Sequence, residues 1–97
     1  MIIVHDIFIC KPGNASKMAK MFKEAMSGQT DLVHVMTDMT GQFNKVVMAS
    51  QYENLEAYEK SWEKYQQDAE LMKKMNEVMK DYHDMYYTGS REIYRVW

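Results

Sequence analysis

The hydrophobic positions of the chain change their period several times, and each change marks a boundary between elements. The first apolar run, Ile2 to Cys10, is rich in β-branched residues and apolar on both faces, which is typical of a strand inside a sheet. A Pro12-Gly13 pair ends this strand. From Asn14, a good N-cap residue, apolar residues recur at helical spacing, and Gly28 is expected at the C′ position that ends the helix.

Two further runs alternate between apolar and polar residues with the period of a strand. They cover residues 30–37 and 43–52, and the turn-forming residues 38–42 between them predict a hairpin. The second and third strands are therefore expected to be antiparallel neighbours.

A second helical pattern begins after Asn54, which can cap it, and its apolar positions continue to Met79 in steps of three and four. Asp68 can cap a fresh helix, so we predict a break or bend at residues 66–68. Residues 82–90 predict a loop, and residues 91–97 alternate as a last strand that we expect to be ordered to the end of the chain. The predicted order is βαββαβ.

This order predicts the α+β class and a ferredoxin-like split βαβ arrangement. The four-stranded antiparallel sheet would have its first and third strands at the centre and both helices on one face. The other face would be left bare with too much apolar surface for a monomer, and it would carry Val47, or Val46 if the register is shifted. We therefore expect a homodimer, sheet against sheet, built from a single domain of residues 1–97.

Composition narrows the choice of partners and compartment. The chain of 97 residues and 11.5 kDa carries 12 Lys and Arg against 14 Asp and Glu, a net charge of −2, with neither sign gathered in a block. Nucleic acid is therefore not an expected partner. No apolar run approaches the roughly 18 residues of a membrane span, no signal peptide is recognisable, and the single Cys10 fits a reducing compartment. We expect a cytoplasmic protein that does not bind membranes.

Several short segments resemble the dimeric α/β-barrel superfamily, over nearly the whole chain. They are Lys11-Pro12-Gly13, the segment Tyr52 to Tyr58, Trp62, the helix start Asp68 to Leu71, and the closing segment Arg91 to Val96. Proteins of similar plan include antibiotic-biosynthesis-type monooxygenases, haem-degrading monooxygenases, stress-responsive barrels and NIPSNAP-like proteins. The resemblance lies in structural motifs, so it implies the fold, a dimeric α/β barrel, more than an activity.

In the monooxygenases of this superfamily, the resemblance implies a cavity between sheet and helices, with an Asn on the first strand and a Trp on the second helix. Trp62 matches that Trp by element, whereas the first strand offers His5 and Asp6 in place of Asn. The candidate ligand-binding residues are Trp62, Tyr58, Tyr65, His34 and Tyr52. The alternative is that these aromatic side chains only pack the core and the interface, as aromatic residues at helical spacing commonly do.

His5 and Asp6 are the candidate catalytic residues. Neighbours on one strand point to opposite faces, so only one of the two can face a given cavity. Buried there, either needs a hydrogen-bond partner, for which Tyr52, Tyr94 and Ser50 are candidates. Such a group is either a satisfied core residue or a base that removes a proton from an acidic phenol or enol.

No metal or cofactor is predicted. The third strand would separate His5 from His34 by about 10 Å, too far for both to bind one ion, and no spacing connects His83 with them. Eleven methionines are a compositional oddity. They indicate either an adaptable apolar pocket or a habit of the source genome.

The most concrete activity that the resemblance implies is that of a cofactor-independent monooxygenase or related enzyme acting on a small aromatic or lipophilic compound. The alternative is a non-catalytic ligand-binding or stress-responsive dimer. A closed apolar cavity with His5 or Asp6 at its wall would favour the enzyme, and a filled core would favour the alternative.

Overall fold

The computed structural model describes residues 1–97 and has the predicted order of elements, with the second helix in two parts. The elements are β1 (Ile2–Cys10), α1 (Ala15–Ala25), β2 (Leu32–Thr37), β3 (Lys45–Tyr52), α2 (Leu55–Gln67), α3 (Ala69–Val78), a short 3-10 helix (Tyr82–Asp84) and β4 (Tyr86–Arg95). The strands form one antiparallel sheet in the order β2-β3-β1-β4. The predicted α+β ferredoxin-like fold, with the first and third strands at the centre, is confirmed.

The predicted break in the second helical region is also confirmed. The Asp68 side chain accepts a hydrogen bond from the backbone N–H of Leu71 at 3.0 Å and caps α3, while Asn54 caps α2 through the N–H of Ala57 at 2.8 Å. Asn14 occupies the N-cap position of α1, but its side chain makes no capping hydrogen bond. Helices α2 and α3 therefore each begin with a side-chain cap of their own.

The end of one helix and the starts of two strands differ slightly from the predictions. Helix α1 ends at Ala25 and Met26 is its C-cap, so Ser27 occupies the C′ position predicted for Gly28, and Gly28 follows it with a φ of +87°. The second and third strands each begin two residues later than predicted. In the hairpin between them, the Asp38 carboxylate accepts hydrogen bonds from the N–H groups of Thr40 and Gly41, which lower its pKa. The predicted turn is thus confirmed.

The last strand was predicted with the wrong ends. It starts at Tyr86, within the predicted loop, and finishes at Arg95, so that Trp97 lies beyond it and is fully exposed. The reason is the length of β1, which pairs with β4 from Ile2 opposite Arg95 to Cys10 opposite Tyr86, with an irregularity before Cys10. A central strand needs a hydrogen-bonding partner along its whole length, and this need outweighs the polar composition of residues 87–90.

The two faces of the sheet are clearly different. Even-numbered residues of β1 face the helices, where Phe8 packs on Phe22 of α1 with ring centres 5.0 Å apart. Val46 of β3 is fully buried on this side. Val47 lies on the opposite, bare face, between Ile7 of β1 and Met36 of β2, so the shifted register is excluded. None of the helices is both long and apolar enough to cross a membrane.

Candidate functional site

An apolar cavity lies between the helix-facing side of the sheet and helices α1, α2 and α3. Its volume is 340 Å³, and 11 of its 13 lining residues are hydrophobic. A cavity of this size falls at the small end of ligand-binding pockets in proteins. The space is partly open to solvent and neither His5 nor Asp6 lines it, so it is neither the closed cavity nor the filled core that would separate the two functions considered from the sequence.

Methionine and aromatic side chains form most of the cavity wall. The methionines are Met26, Met48, Met72, Met75 and Met79. The aromatic residues are Phe8, Phe22, Trp62, Tyr65 and Tyr82. Unbranched thioether side chains change rotamer easily and are polarisable, so this wall can adapt to apolar molecules of different shapes. Nearly half of the eleven methionines of the chain meet at this one place.

An ion pair lies at the edge of the cavity. Asp6 is on the helix-facing side of β1, with Phe8 two residues along the strand and Met48 directly opposite on β3, and both of these neighbours line the cavity. On its other side Asp6 pairs with Arg91 of β4, whose Nε donates to Asp6 Oδ1 at 2.6 Å. Burial lowers the pKa of Arg91, but the hydrogen bond and the charge of Asp6 outweigh burial, so that this pKa is raised.

The guanidinium group of Arg91 also lies against two aromatic rings of α2. Its central carbon is 5.4 Å from the ring centre of Trp62 and 5.8 Å from that of Tyr58. Distances under about 6 Å allow cation–π attraction, which favours one orientation of the guanidinium. Trp62 therefore connects the ion pair with the apolar cavity, since it contacts both.

Tyr58 has a buried hydroxyl group that no protein atom satisfies. The ring packs with Ile2 and Val4, and its edge-on neighbour Tyr52 is 5.1 Å away between ring centres. Among the buried side-chain oxygen and nitrogen atoms of the chain, its hydroxyl oxygen is the one that has no hydrogen-bond partner. Buried hydroxyl groups are normally paired, so this one lacks the hydrogen bond that would offset the cost of its burial.

Tyr65 lines the cavity and reaches a polar cleft beside it with its hydroxyl group. The hydroxyl makes a long hydrogen bond, 3.5 Å, to Asp31, and Asp31 and Tyr52 both line that cleft. Burial, with the nearby charges of Tyr52 and Asp31, raises the pKa of Tyr65 to about 12. The pKa of Tyr52 is also raised, mainly by burial. Both phenols therefore remain neutral donors at physiological pH.

His5 and His34 lie on the bare face, on the other side of the sheet from the cavity. Both are opposite Ala49 of β3, one on each side, as the predicted strand order requires. The ring of His5 contacts the ring of Tyr94 edge-on at 5.4 Å, and the Tyr94 hydroxyl donates to Glu92. The structure thus separates these histidines from Trp62, Tyr58, Tyr65 and Tyr52, which it brings together on the helix side.

The partner that Asp6 has was not among the candidates suggested for His5 or Asp6. Its ion pair is with Arg91, and no hydrogen bond joins it to Tyr52, Tyr94 or Ser50. The sequence analysis missed Arg91 because it placed this residue at the start of a strand of unknown register. The signal that could have found it is charge complementarity, since Asp6 is the one charged residue in the apolar run of β1 and an aligned register sets the cation Arg91 opposite it.

The comparisons with known proteins point to one family. The NIPSNAP family model matches residues 6–87. A NIPSNAP domain protein from Burkholderia xenovorans superposes with a TM-score of 0.79 at 12% identity, covering 100% of this chain and 95% of that one. A NIPSNAP family protein from Agrobacterium tumefaciens gives 0.76 at 13% identity, covering 97% and 90%. Among curated proteins, none matches this chain significantly.

The fold is shared more widely than the family. A proposed antibiotic biosynthesis monooxygenase from Nitrosomonas europaea superposes with a TM-score of 0.68 at 9% identity, covering 99% of this chain and 98% of that one. Identities this low carry the fold and not the chemistry. The resemblance of the sequence to this group of proteins is confirmed.

Proposed function

Because the chain belongs to the NIPSNAP family, whose fold here contains an apolar cavity, we propose that it binds a small aromatic or lipophilic compound in that cavity. The observation that carries this proposal is the 340 Å³ space between sheet and helices, with 11 hydrophobic residues among the 13 that line it. An unfilled apolar space costs dispersion contacts, which a ligand of suitable size restores. The five methionines and Trp62 are the residues that we expect to contact the ligand first.

A neutral fluorescent probe tests this proposal. N-phenyl-1-naphthylamine brightens in apolar surroundings, and we expect saturable binding to the native protein. Met75→Lys places a charge in the cavity wall and should weaken binding at least about tenfold, because the ammonium group must be desolvated or must occupy the ligand's place. Met39→Lys is the matched control, since Met39 is fully exposed in the hairpin. Equal binding by both variants would overturn the proposal.

The protein acts, on this proposal, as a homodimer that pairs its bare sheet faces. The bare face carries Ile7, Val47 and Met36 side by side across three strands, and Met36 is exposed in the single chain. Sheet faces of this kind are normally covered. A two-fold dimer covers two of them with one contact.

Light scattering tests the dimer. We expect the wild-type protein at micromolar concentration to have twice the chain mass of 11.5 kDa. Val47→Lys should split the dimer, because a charge would be buried in a dry interface. Lys64→Ala, which removes a charge from the helix side, is the control and should leave the mass unchanged. A wild-type mass near 11.5 kDa would contradict the dimer.

Oxygenation of the bound compound is the second candidate function, favoured by the likeness to the Nitrosomonas europaea protein. Asp6 would then be the base that removes a proton from a phenol or enol, because it lies beside two residues of the cavity wall. Two observations make this candidate the weaker one. Neither Asp6 nor His5 lines the cavity, and Asp6 already holds the guanidinium of Arg91.

Oxygen uptake separates the two candidates. The enzyme should consume dioxygen in the presence of a polyphenol that binds in the cavity, and Asp6→Asn should abolish uptake while leaving probe binding intact. His5→Asn is the control, since His5 lies on the bare face. Binding without uptake by the wild-type protein leaves the ligand-binding or stress-responsive dimer as the function.

The cytosol is the compartment that we propose for this protein. Its single cysteine, Cys10, is buried and unpaired, and burial raises the pKa of the thiol, so it suits a reducing environment without depending on one. The charges are of mixed sign, with a net value of −2, and favour no nucleic-acid partner.

A further inference from the structure

We propose that the compound held in the apolar cavity is an acid, whose carboxylate group binds Arg91 while its apolar part lies among the methionines. This inference rests on the proposed function, because it specifies the class of ligand for the same cavity. It adds a polar anchor to a space that would otherwise select ligands only by size and hydrophobicity.

Position is the first argument. The guanidinium of Arg91 lies 5.4 Å from the ring centre of Trp62, and Trp62 lines the cavity. Its ion-pair partner Asp6 has cavity-lining residues as neighbours both along β1 and across to β3. A ligand that fills the cavity and extends past Trp62 therefore meets the guanidinium.

Unused hydrogen-bonding capacity is the second argument. A guanidinium group has five N–H donors, and only the Nε–H of Arg91 has a protein acceptor, Asp6. The terminal nitrogen atoms remain available, and their planar arrangement matches a carboxylate with two parallel hydrogen bonds. Asp6 and the rings of Trp62 and Tyr58 restrain the group before a ligand arrives, which reduces the entropy lost on binding.

The sign of the ligand's charge follows from exposure. The Arg91 side chain is 45% exposed, whereas that of Asp6 is only 15% exposed. The positive partner of the pair is therefore the one that an incoming molecule can reach. An anion can accept from the free terminal N–H groups of Arg91, whereas a cation would be repelled by the guanidinium before it reached Asp6.

Tyr58 supplies an independent observation that a polar partner is missing. Its hydroxyl group is buried and unpartnered, and the same ring lies 5.8 Å from the guanidinium carbon. A carboxylate has lone pairs on two oxygen atoms, so one acid group can accept from Arg91 and from this hydroxyl. A hydrocarbon can accept neither hydrogen bond, and an alcohol oxygen, which carries no charge, accepts from a guanidinium more weakly than a carboxylate does.

The experiment compares decanoic acid with decanol, which have the same chain length and differ in the head group. Trp97→Phe is used as the parent protein, because Trp97 is fully exposed and its removal leaves Trp62 as the only tryptophan reporter. At pH 7.5 we expect quenching or a shift of Trp62 emission, and an affinity for the acid at least about tenfold above that for the alcohol. Charge-assisted hydrogen bonds commonly produce differences of this size.

Arg91→Gln in this parent protein should lower the affinity for decanoic acid at least about tenfold and should change the affinity for decanol less than about twofold. Arg95→Gln is the matched control, because it removes the same charge from the same face of β4, about 13 Å along the strand, and should leave both affinities unchanged. The double variant Asp6→Asn/Arg91→Gln should also lose the preference for the acid, which excludes mere repulsion by an unpaired Asp6. Tyr58→Phe should weaken binding of the acid severalfold and binding of decanol less, because a carboxylate accepts more strongly than an alcohol.

Three results would overturn the proposal. Equal affinities of acid and alcohol in the parent protein would show that the head group is not recognised, and so would an equal loss of both ligands in Arg91→Gln. In either case binding of the neutral probe would leave the proposed function standing. If neither the neutral probe nor either decyl ligand binds, the proposed function is contradicted, and the proposal of an acid ligand, which rests on it, is contradicted as well.

Discussion

The two ends of the helix layer are packed very differently. Under α1, the cluster of Cys10, Met18, Phe22 and Val46 is between 0% and 5% exposed and has further apolar residues around it. We call this the α1 half. The α2 half consists of the region between α2 and β4, where the buried cluster is limited to Ile2, Val4 and Tyr58, and where every residue of β4 after Tyr86 is exposed.

The pattern of side chains on the two helices explains this difference. Helix α1 presents Met18, Phe22 and Ala25 as one buried stripe, whereas α2 buries only Tyr58 and Ser61. The α1 half is therefore built for stability. The α2 half keeps a restrained guanidinium, an unpartnered hydroxyl and the exposed Trp62 near unfilled space, and local departures from good packing of this kind are typical of binding sites.

The strongest test of this comparison removes one large side chain from each half. Phe22→Ala should lower the free energy of unfolding by about 3 to 5 kcal/mol, because it leaves a cavity in the buried cluster. Trp62→Ala should cost roughly half as much, about 2 kcal/mol, since Trp62 is 45% exposed and Phe22 only 5%, although both line the cavity. Urea unfolding at one fixed protein concentration measures both. Similar losses for the two variants would contradict the difference between the halves.

Tyr58→Phe should raise the free energy of unfolding of the ligand-free protein by about 1 kcal/mol. It removes a buried hydroxyl group that has no partner and keeps the packing of the ring. Tyr65→Phe is the control, because the Tyr65 hydroxyl has Asp31 as an acceptor and its loss should not stabilise the protein. Thermal unfolding decides the matter, and a lower stability of Tyr58→Phe would mean that the hydroxyl has a partner in solution.

The pH dependence of stability above neutrality should depend on Tyr65 of α2. Its pKa is raised to about 12, chiefly by burial, so between pH 10 and 12 the phenol ionises in the unfolded chain and stays protonated in the folded one. The unfolded state then binds fewer protons, and stability falls with rising pH in this window. Tyr65→Phe should reduce that fall. Denaturant unfolding at each pH measures the free energy of unfolding of both proteins. If this free energy falls equally steeply with pH in both, the pKa of Tyr65 is not raised in the folded protein.

Trp97 should have the smallest effect in an isolated chain. It lies beyond β4 and is fully exposed, so Trp97→Ala in the Val47→Lys background, which we expect to be monomeric, should change stability by less than about 0.5 kcal/mol. A larger loss in the dimeric protein would indicate that the partner subunit covers Trp97. Equilibrium unfolding of both variants gives the two values.

Deletion of residues 94–97 should be more damaging than Trp97→Ala, for the fold as well as the dimer. It removes the pairing of Tyr94 and Arg95 with β1 and the hydrogen bond from the Val96 N–H to the Met1 carbonyl. A truncated protein with the parent's mass and melting temperature would show that this end of β4 is peripheral.

Some parts of the site could be predicted from the sequence and others could not. The helical spacing of Tyr58, Trp62 and Tyr65 predicted that they share the side of α2 that faces the sheet, and the structure places Tyr65 and Trp62 on the cavity wall. The alternation of β1 predicted that His5 and Asp6 face opposite sides, but not which of them faces the helices. That choice depends on which face of the sheet α1 covers, and the alternation of residues along a strand carries no information about this.

Local periodicity, caps and turn residues by themselves determined the order of elements, the antiparallel sheet with its central strands and the break at Asp68. These features depend on residues close together in sequence, where spacing and hydrogen-bonding geometry leave few choices. Only the tertiary structure decided where β4 begins, that Asp6 pairs with Arg91, 85 residues away, and that space remains among the methionines. The physical reason is that strand register and side-chain packing depend on contacts between segments far apart in sequence. The local pattern of residues along the chain does not specify those contacts.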